Sequence, residues 1–287
     1  MPIYDQSYAH WDGTLEGRLL RWKPITLNAI RLAFRSKLFL IVFCLSLAPF
    51  VIRVGMIYAY SFIPQLQQES HFARLVAVDG TFYCNFLVRN QFISIVLMCL
   101  FVGCGQIARD LKVRALEIYF SKPLTLLDYV AGKFGAIGFF LLCMSLFPGL
   151  LLFLSDFLLS EEGSFADKVQ FLPGILATSA LVVTTLSLVV LAASALCRTT
   201  RNAALVWIGF HLALMISGQI LAEIFRMPFL VLLDIRESLQ FLAQTVFDVE
   251  RDFQIPGIYP FLYILLINLA AGWVLLRRVK KVEATET

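Results

Sequence analysis

The densest group of side chains able to do chemistry is Arg109, Asp110, Lys112, Arg114, Glu117 and Tyr119. They are spread through a stretch that also holds Leu111, Leu116 and Phe120 and that lies between two long apolar runs. Asp110 and Arg114 are four residues apart, so on a helix they are neighbours able to form an ion pair. Leu111, Ala115, Ile118 and Tyr119 fall on an adjoining face, and the spacing predicts an amphipathic helix of about three turns. Ser121-Lys122-Pro123 ends it, because proline offers no amide hydrogen and turns the residue before it away from helix. Thr125, with Asp128 three residues on, reads as a capping-box start for the next helix. Charges and apolar groups at this spacing offer a surface to a partner. The alternative at this point is an ordinary solvated loop.

Catalytic equipment is missing elsewhere. His10, His71 and His211 lie on separate segments, so there is no HExxH pair and no metal site. There is no GxSxG elbow and no GxxxxGK[ST] phosphate loop, so the chain is expected not to be an enzyme, to hold no cofactor and not to hydrolyse ATP in the usual way. His211, inside an apolar run, is expected to be a hydrogen-bonded structural residue. Cys44, Cys99, Cys104, Cys143 and Cys197 read as small buried hydrophobes, and Cys84 as the one placed to be oxidised. Arg53 and Glu223 are the charges within apolar runs, both near ends, with Arg53 able to snorkel to water. A path lined by Phe, Leu, Met, Ser and Thr suits an amphipathic or lipid-like cargo better than an inorganic ion. Gly209, Ala213 and Ser217 recur every four residues and form a flat stripe for a close-packed helix, either within the chain or at a dimer seam.

These residues must be positioned by a membrane protein. The chain of 287 residues is 59% hydrophobic and 15% charged, with a mean hydropathy of +0.79, which no soluble globular domain shows. A bilayer crossing takes about twenty apolar residues, and the hydropathy predicts an all-α integral membrane protein with six transmembrane helices, at about 38–58, 92–107, 134–158, 172–196, 203–224 and 258–276. Residues 1–37 carry Trp11, Arg18, Arg21, Trp22, Lys23, Arg31, Arg35 and Lys37 interleaved with Leu27, Ile30, Leu32 and Phe34. They predict an amphipathic helix in the lipid interface rather than a cleavable leader or a nucleic-acid site. Lys133 is expected at the mouth of the third span and Pro148 at a kink within it. Residues 226–257 hold Asp234, Arg236 and Glu237. Each Asp or Arg at a span centre costs roughly 2.5–3.5 kcal/mol, so short re-entrant helices before the last span are predicted there instead of a seventh crossing. With the arm in the cytosol, seventeen Lys and Arg residues fall on the cytosolic side, those of the tail at 277–287 included, and six on the other, with Arg53 counted apart, which orients both termini inward.

The stretches Gly105-Gln106-Ile107-Ala108-Arg109-Asp110, then Ala115-Leu116-Glu117-Ile118-Tyr119-Phe120-Ser121-Lys122-Pro123-Leu124, then Asp128-Tyr129 and Gly132-Lys133 sit between the second and third spans. In these, and in the six-span layout, the chain resembles the permease subunits of ATP-binding cassette exporters of the type-two superfamily, with ABCG-like architecture. The position of Leu126 is often basic in that family, a departure here. The resemblance implies a permease half that pairs with a second permease chain in the bacterial inner membrane and docks on a separate ATPase subunit, which would bind ATP and Mg. It also implies a coupling helix at 109–120, with the turn at Arg198 and Arg201 as a second contact. A non-transporting six-span scaffold or regulatory subunit is the alternative.

Overall fold

The computed structural model describes residues 20–63, 78–120, 124–159, 169–251 and 253–284, and all the regular structure among them is helical. Six helical rods are long and apolar enough to cross a membrane: Lys37–Phe62, Gly80–Lys112, Leu126–Leu158, Phe171–Leu196, Thr200–Phe225 and Ile258–Lys281. An arm helix, Lys23–Phe34, precedes them. The expected stop at Ser121-Lys122-Pro123, the start of the arm and the end of the tail lie outside the described residues.

Two rods break where proline removes a backbone donor. The first span divides into Lys37–Ser46 and Ala48–Phe62 just before Pro49. The third divides into Leu126–Met144 and Leu146–Leu159 just before Pro148, and Ser145, left between them, hydrogen bonds to Ser179 at 3.1 Å. The fourth span is the mast of the bundle and packs on the second, third, fifth and sixth. Its approach to the second is close enough that a Cβ on Gly103 would lie 2.6 Å from Val190, and Asn268 of the last span donates to its buried Thr185 at 3.2 Å.

The second span begins at Gly80, well before the expected 92, because Phe82, Tyr83 and Phe86 are buried turns of the rod itself and not an interfacial approach to it. Two of its stretches, Asn85–Asn90 and Cys99–Gly103, are wound as π-helix. Cys84 is buried rather than open to oxidation, its sulfur accepting from Gln240 Nε2 at 3.2 Å. Arg53, half-buried, lies over the Phe82 ring, 5.2 Å from its centroid.

The region before the last span forms two short helices, a 3₁₀ turn Pro228–Leu233 and Ile235–Val246, neither long enough to cross. Asp234 caps the second by accepting the Arg236 amide at 3.1 Å, and burial raises its carboxyl above the usual range, with the Arg236 amide bond opposing. Arg236 pairs with Glu237.

In the fifth span Gly209 and Ala213 are exposed and a Cβ on Gly209 would touch nothing, so this part of the small stripe packs against no other span among the described residues. Ser217 turns its hydroxyl back to the Leu214 carbonyl at 3.1 Å. His211 is not hydrogen bonded as expected. Its ring sits edge-on to Trp207 at 4.3 Å and to Phe92 at 5.8 Å, and both nitrogens lack a partner among the described residues. The Trp207 indole that would be its nearest donor is spent on the Val96 carbonyl at 3.2 Å.

Candidate partner-docking face

The residues singled out by the sequence gather at one end of the bundle, where the arm helix, the connection between the second and third spans and the end of the last helix meet. Their placement starts with an unwinding. Residues 104–107 leave the helical ladder at the end of the second span, which strands backbone groups. Ser194 of the fourth span takes them up. Its Oγ donates to the Cys104 carbonyl at 2.9 Å and accepts the amides of Ile107 and Ala108, each at 3.0 Å. A Ser194→Ala variant leaves two buried amides unpaired and is expected to lose about 2 kcal/mol of stability, read as a lower midpoint of thermal unfolding.

From there the chain makes two short helices, Ala108–Lys112 and Ala115–Phe120, and not the single helix the spacing predicts. The break is at Arg114, whose φ of 54° is left-handed. That conformation costs a residue with a Cβ about 1–2 kcal/mol and resets the helical phase. The consequence is visible in the side chains: Leu116 is buried at 1% exposure, whereas Ile118, expected on the packed face, is 65% exposed.

The expected Asp110–Arg114 pair does not form, since the reversal carries Arg114 away. Asp110 instead meets Lys133 of the third span at 2.7 Å and accepts the Tyr129 hydroxyl at 2.8 Å. Lys133 is only 6% exposed, so it is no charge at a mouth: the third span begins at Leu126, and Lys133 lies inside the fold over the rings of Tyr129 and Tyr119. Burial, and then the negative charge of Asp110, push the Tyr119 phenol above its ordinary value. Arg109 turns its Nε back to the Gly105 carbonyl at 3.1 Å. Arg114 and Glu117 face each other at 3.9 Å on the surface, a pair worth well under about 1 kcal/mol.

The expected capping box is present. Asp128 donates its amide to Thr125 Oγ1 at 3.2 Å, and Thr125 returns its own to Asp128 Oδ2 at 3.1 Å. The arm helix docks beside it: Thr26 Oγ1 donates to the Gly132 carbonyl at 2.9 Å, and a Cβ on Gly132 would lie 2.8 Å from Ile25.

Lys112, Arg198 and Arg201 are exposed, and helix Ala108–Lys112 packs on the two spans that the Arg198–Arg201 turn joins. The helix Ala115–Phe120, whose last side chain lies outside the described set, leans on the last helix, which runs on past the expected 276 to Ala284. Sequence reasoning missed the exposure of two apolar residues on this connection, Val113 at 68% and Ile118, and of Leu127 at 66% in the first turn of the third span. That of Ile118 follows from the phase shift at Arg114. No His, Cys, Asp and Glu cluster able to hold a metal exists among the described residues.

Six apolar rods, the fourth of them buried among its neighbours, with short charged helices at one end, define a polytopic helical membrane protein. More narrowly, the chain belongs to the ABC-2 transporter family: a family model described as "ABC-2 family transporter protein" matches residues 24–278. That match runs from the arm helix through most of the last span and takes in the connection between the second and third spans. No curated protein matches the chain significantly. It is thus a membrane permease component, integral to the bilayer, of a family whose members have no ATPase of their own and generally pair with one.

Proposed function

We infer that the chain is the permease half of an ATP-driven exporter, with the connection 108–120 as its coupling segment. The observation that supports this most directly is the exposure of Val113 and Ile118 on either side of the Arg114–Glu117 pair, on a base held fixed by the buried Asp110–Lys133 pair. Exposed apolar groups ringed by charge fit a protein partner rather than water. The rigid pair beneath them passes a push on this surface directly to the second and third spans. ATP and Mg bind the separate ATPase subunit. Closing of the ATPases drives the spans from inward to outward access, provided that nucleotide favours one permease state over the other. Arg198 and Arg201 are the second contact. A second permease chain packs on the unoccupied stripe of Gly209, Ala213 and Ser217. The base-rich end faces the cytosol of a bacterial inner membrane, and the cargo is amphipathic or hydrophobic: a lipid, drug, peptide or glycan.

The test is assembly. The wild-type chain purified from its native membrane is expected to bring an ATPase subunit with it. Arg114→Ala with Glu117→Ala is expected to lower that recovery, or to leave ATP hydrolysis uncoupled from transport, with little change in the chain's own unfolding midpoint. Full assembly and coupled transport in the double variant would reject the segment's assignment. Absence of any ATPase from the wild-type preparation would favour the scaffold reading.

A further inference from the structure

A cavity of about 450 Å³ opens between the arm helix, the first two spans and the docking connection, a volume in the range of small-ligand sites. Its chemistry is divided. One wall is apolar, formed by Leu32, Phe39 and Phe101. The other carries Arg109, Gln106 and Lys133 beside Asp110. Lys133 and Asp110 neutralise one another at 2.7 Å, so the wall's net charge is the guanidinium of Arg109. Only its Nε is engaged, by the Gly105 carbonyl, and its terminal nitrogens make no hydrogen bond or ion pair among the described residues. Gln106 gives the second sign. It is 6% exposed, lines the cavity, and its side-chain amide has no hydrogen-bond partner among the described residues. That amide opens onto the cavity and is not sealed off, so it can donate to an occupant.

We propose that this cavity binds a glycerophospholipid through its phosphate. The phosphate is held by the free edge of Arg109 and the amide of Gln106, and an acyl chain lies along Leu32, Phe39 and Phe101. The guanidinium suits the group because its planar fork donates to two phosphate oxygens at once. Headgroup and tail chemistry are both met in the lining of one cavity, as an amphiphile requires. An occupant of this site is wedged between the arm and the helix that begins at Ala108, so it props the docking connection from behind. The proposal goes beyond the exporter reading and needs only that the chain be membrane-embedded.

The experiment uses the full chain in neutral detergent, with dioleoylphosphatidylglycerol as probe and thermal unfolding and native mass spectrometry as readouts. The expected result is one retained lipid per chain and a raised unfolding midpoint. Dioleoylglycerol, which has the tails without the phosphate, and glycerol 3-phosphate, which has the phosphate without the tails, are each expected to bind at least about tenfold more weakly. Arg109→Gln and Gln106→Leu should each weaken the phospholipid about tenfold. Ala29→Trp fills the cavity from the arm side, leaves both polar groups in place and should have the same effect. Equal binding of dioleoylglycerol, equal stabilisation by glycerol 3-phosphate, or a retained lipid in Ala29→Trp would overturn the proposal. No ATPase is present in these measurements, so their failure leaves the exporter reading standing, and loss of ATPase assembly leaves theirs standing.

Discussion

Replacing Lys133 with methionine is expected to destabilise the chain by about 3–5 kcal/mol, the penalty for leaving one member of a buried ion pair uncompensated. Asp110 would keep the Tyr129 hydroxyl at 2.8 Å but lose the ammonium at 2.7 Å, in a site where its side chain is 16% exposed and that of Lys133 8%. The attraction within such a pair is offset by the cost of drying both charges, so the pair is not itself a large source of stability. That asymmetry gives the measurement its power. The double variant Asp110→Leu with Lys133→Met removes both charges and is expected to unfold at a higher temperature than Lys133→Met alone. A double variant no better than the single one would mean that the ammonium acts through its contacts with the Tyr119 and Tyr129 rings, not through Asp110. The pair also fixes register. It ties the end of the second span to the start of the third, so Lys133→Met is expected to impair coupled transport even at temperatures where the chain stays folded.

The second large effect is expected at Gly132. A valine there would place its Cβ 2.8 Å from Ile25 Cβ and 3.0 Å from the Trp22 carbonyl, which belongs to backbone and cannot swing aside. The arm helix must then lift, breaking the bond from Thr26 to the Gly132 carbonyl. Overpacking of this kind costs about 1–3 kcal/mol, and the lost hydrogen bond about 1 kcal/mol more. Detachment can be read directly. In an Ile25→Cys background, where the thiol replaces a side chain 8% exposed, Gly132→Val is expected to raise the rate of maleimide labelling at least about tenfold. An unchanged rate would show that the third span yields and not the arm.

The spans were legible because bilayer crossing is a matter of length and hydropathy, and both are local in sequence. The same is true of the capping box at Thr125 and Asp128 and of the kink before Pro148, where the cause lies within four residues of the effect. What the sequence hides is set by distant partners. The second span looks short because Asn85, Arg89, Asn90 and Gln91 interrupt its hydropathy. In the fold Gln91 is buried and Asn85 accepts from Gln240 at 2.9 Å. Lys133 reads as a boundary charge until Asp110, twenty-three residues earlier, is brought against it. The charged connection stood out by composition but was given the wrong faces. Helical periodicity assumes an unbroken ladder, and one arginine in a left-handed conformation shifts every residue after it.

The wide turns of the second span set how that rod can carry motion. It runs from the Asn85–Gln240 bond at one end to the Asp110–Lys133 pair at the other, with the π-wound stretches Asn85–Asn90 and Cys99–Gly103 along its length. Each wide turn stores slack that an α-turn lacks. Shifting one residue out of such a turn advances the chain beyond it by about 1.5 Å and rotates it by about 100°. A straight α-helix pushed at one end can only translate or tilt. This rod can also act as a screw, coupling a short advance along the fourth span to a turn of the side chains at its far end.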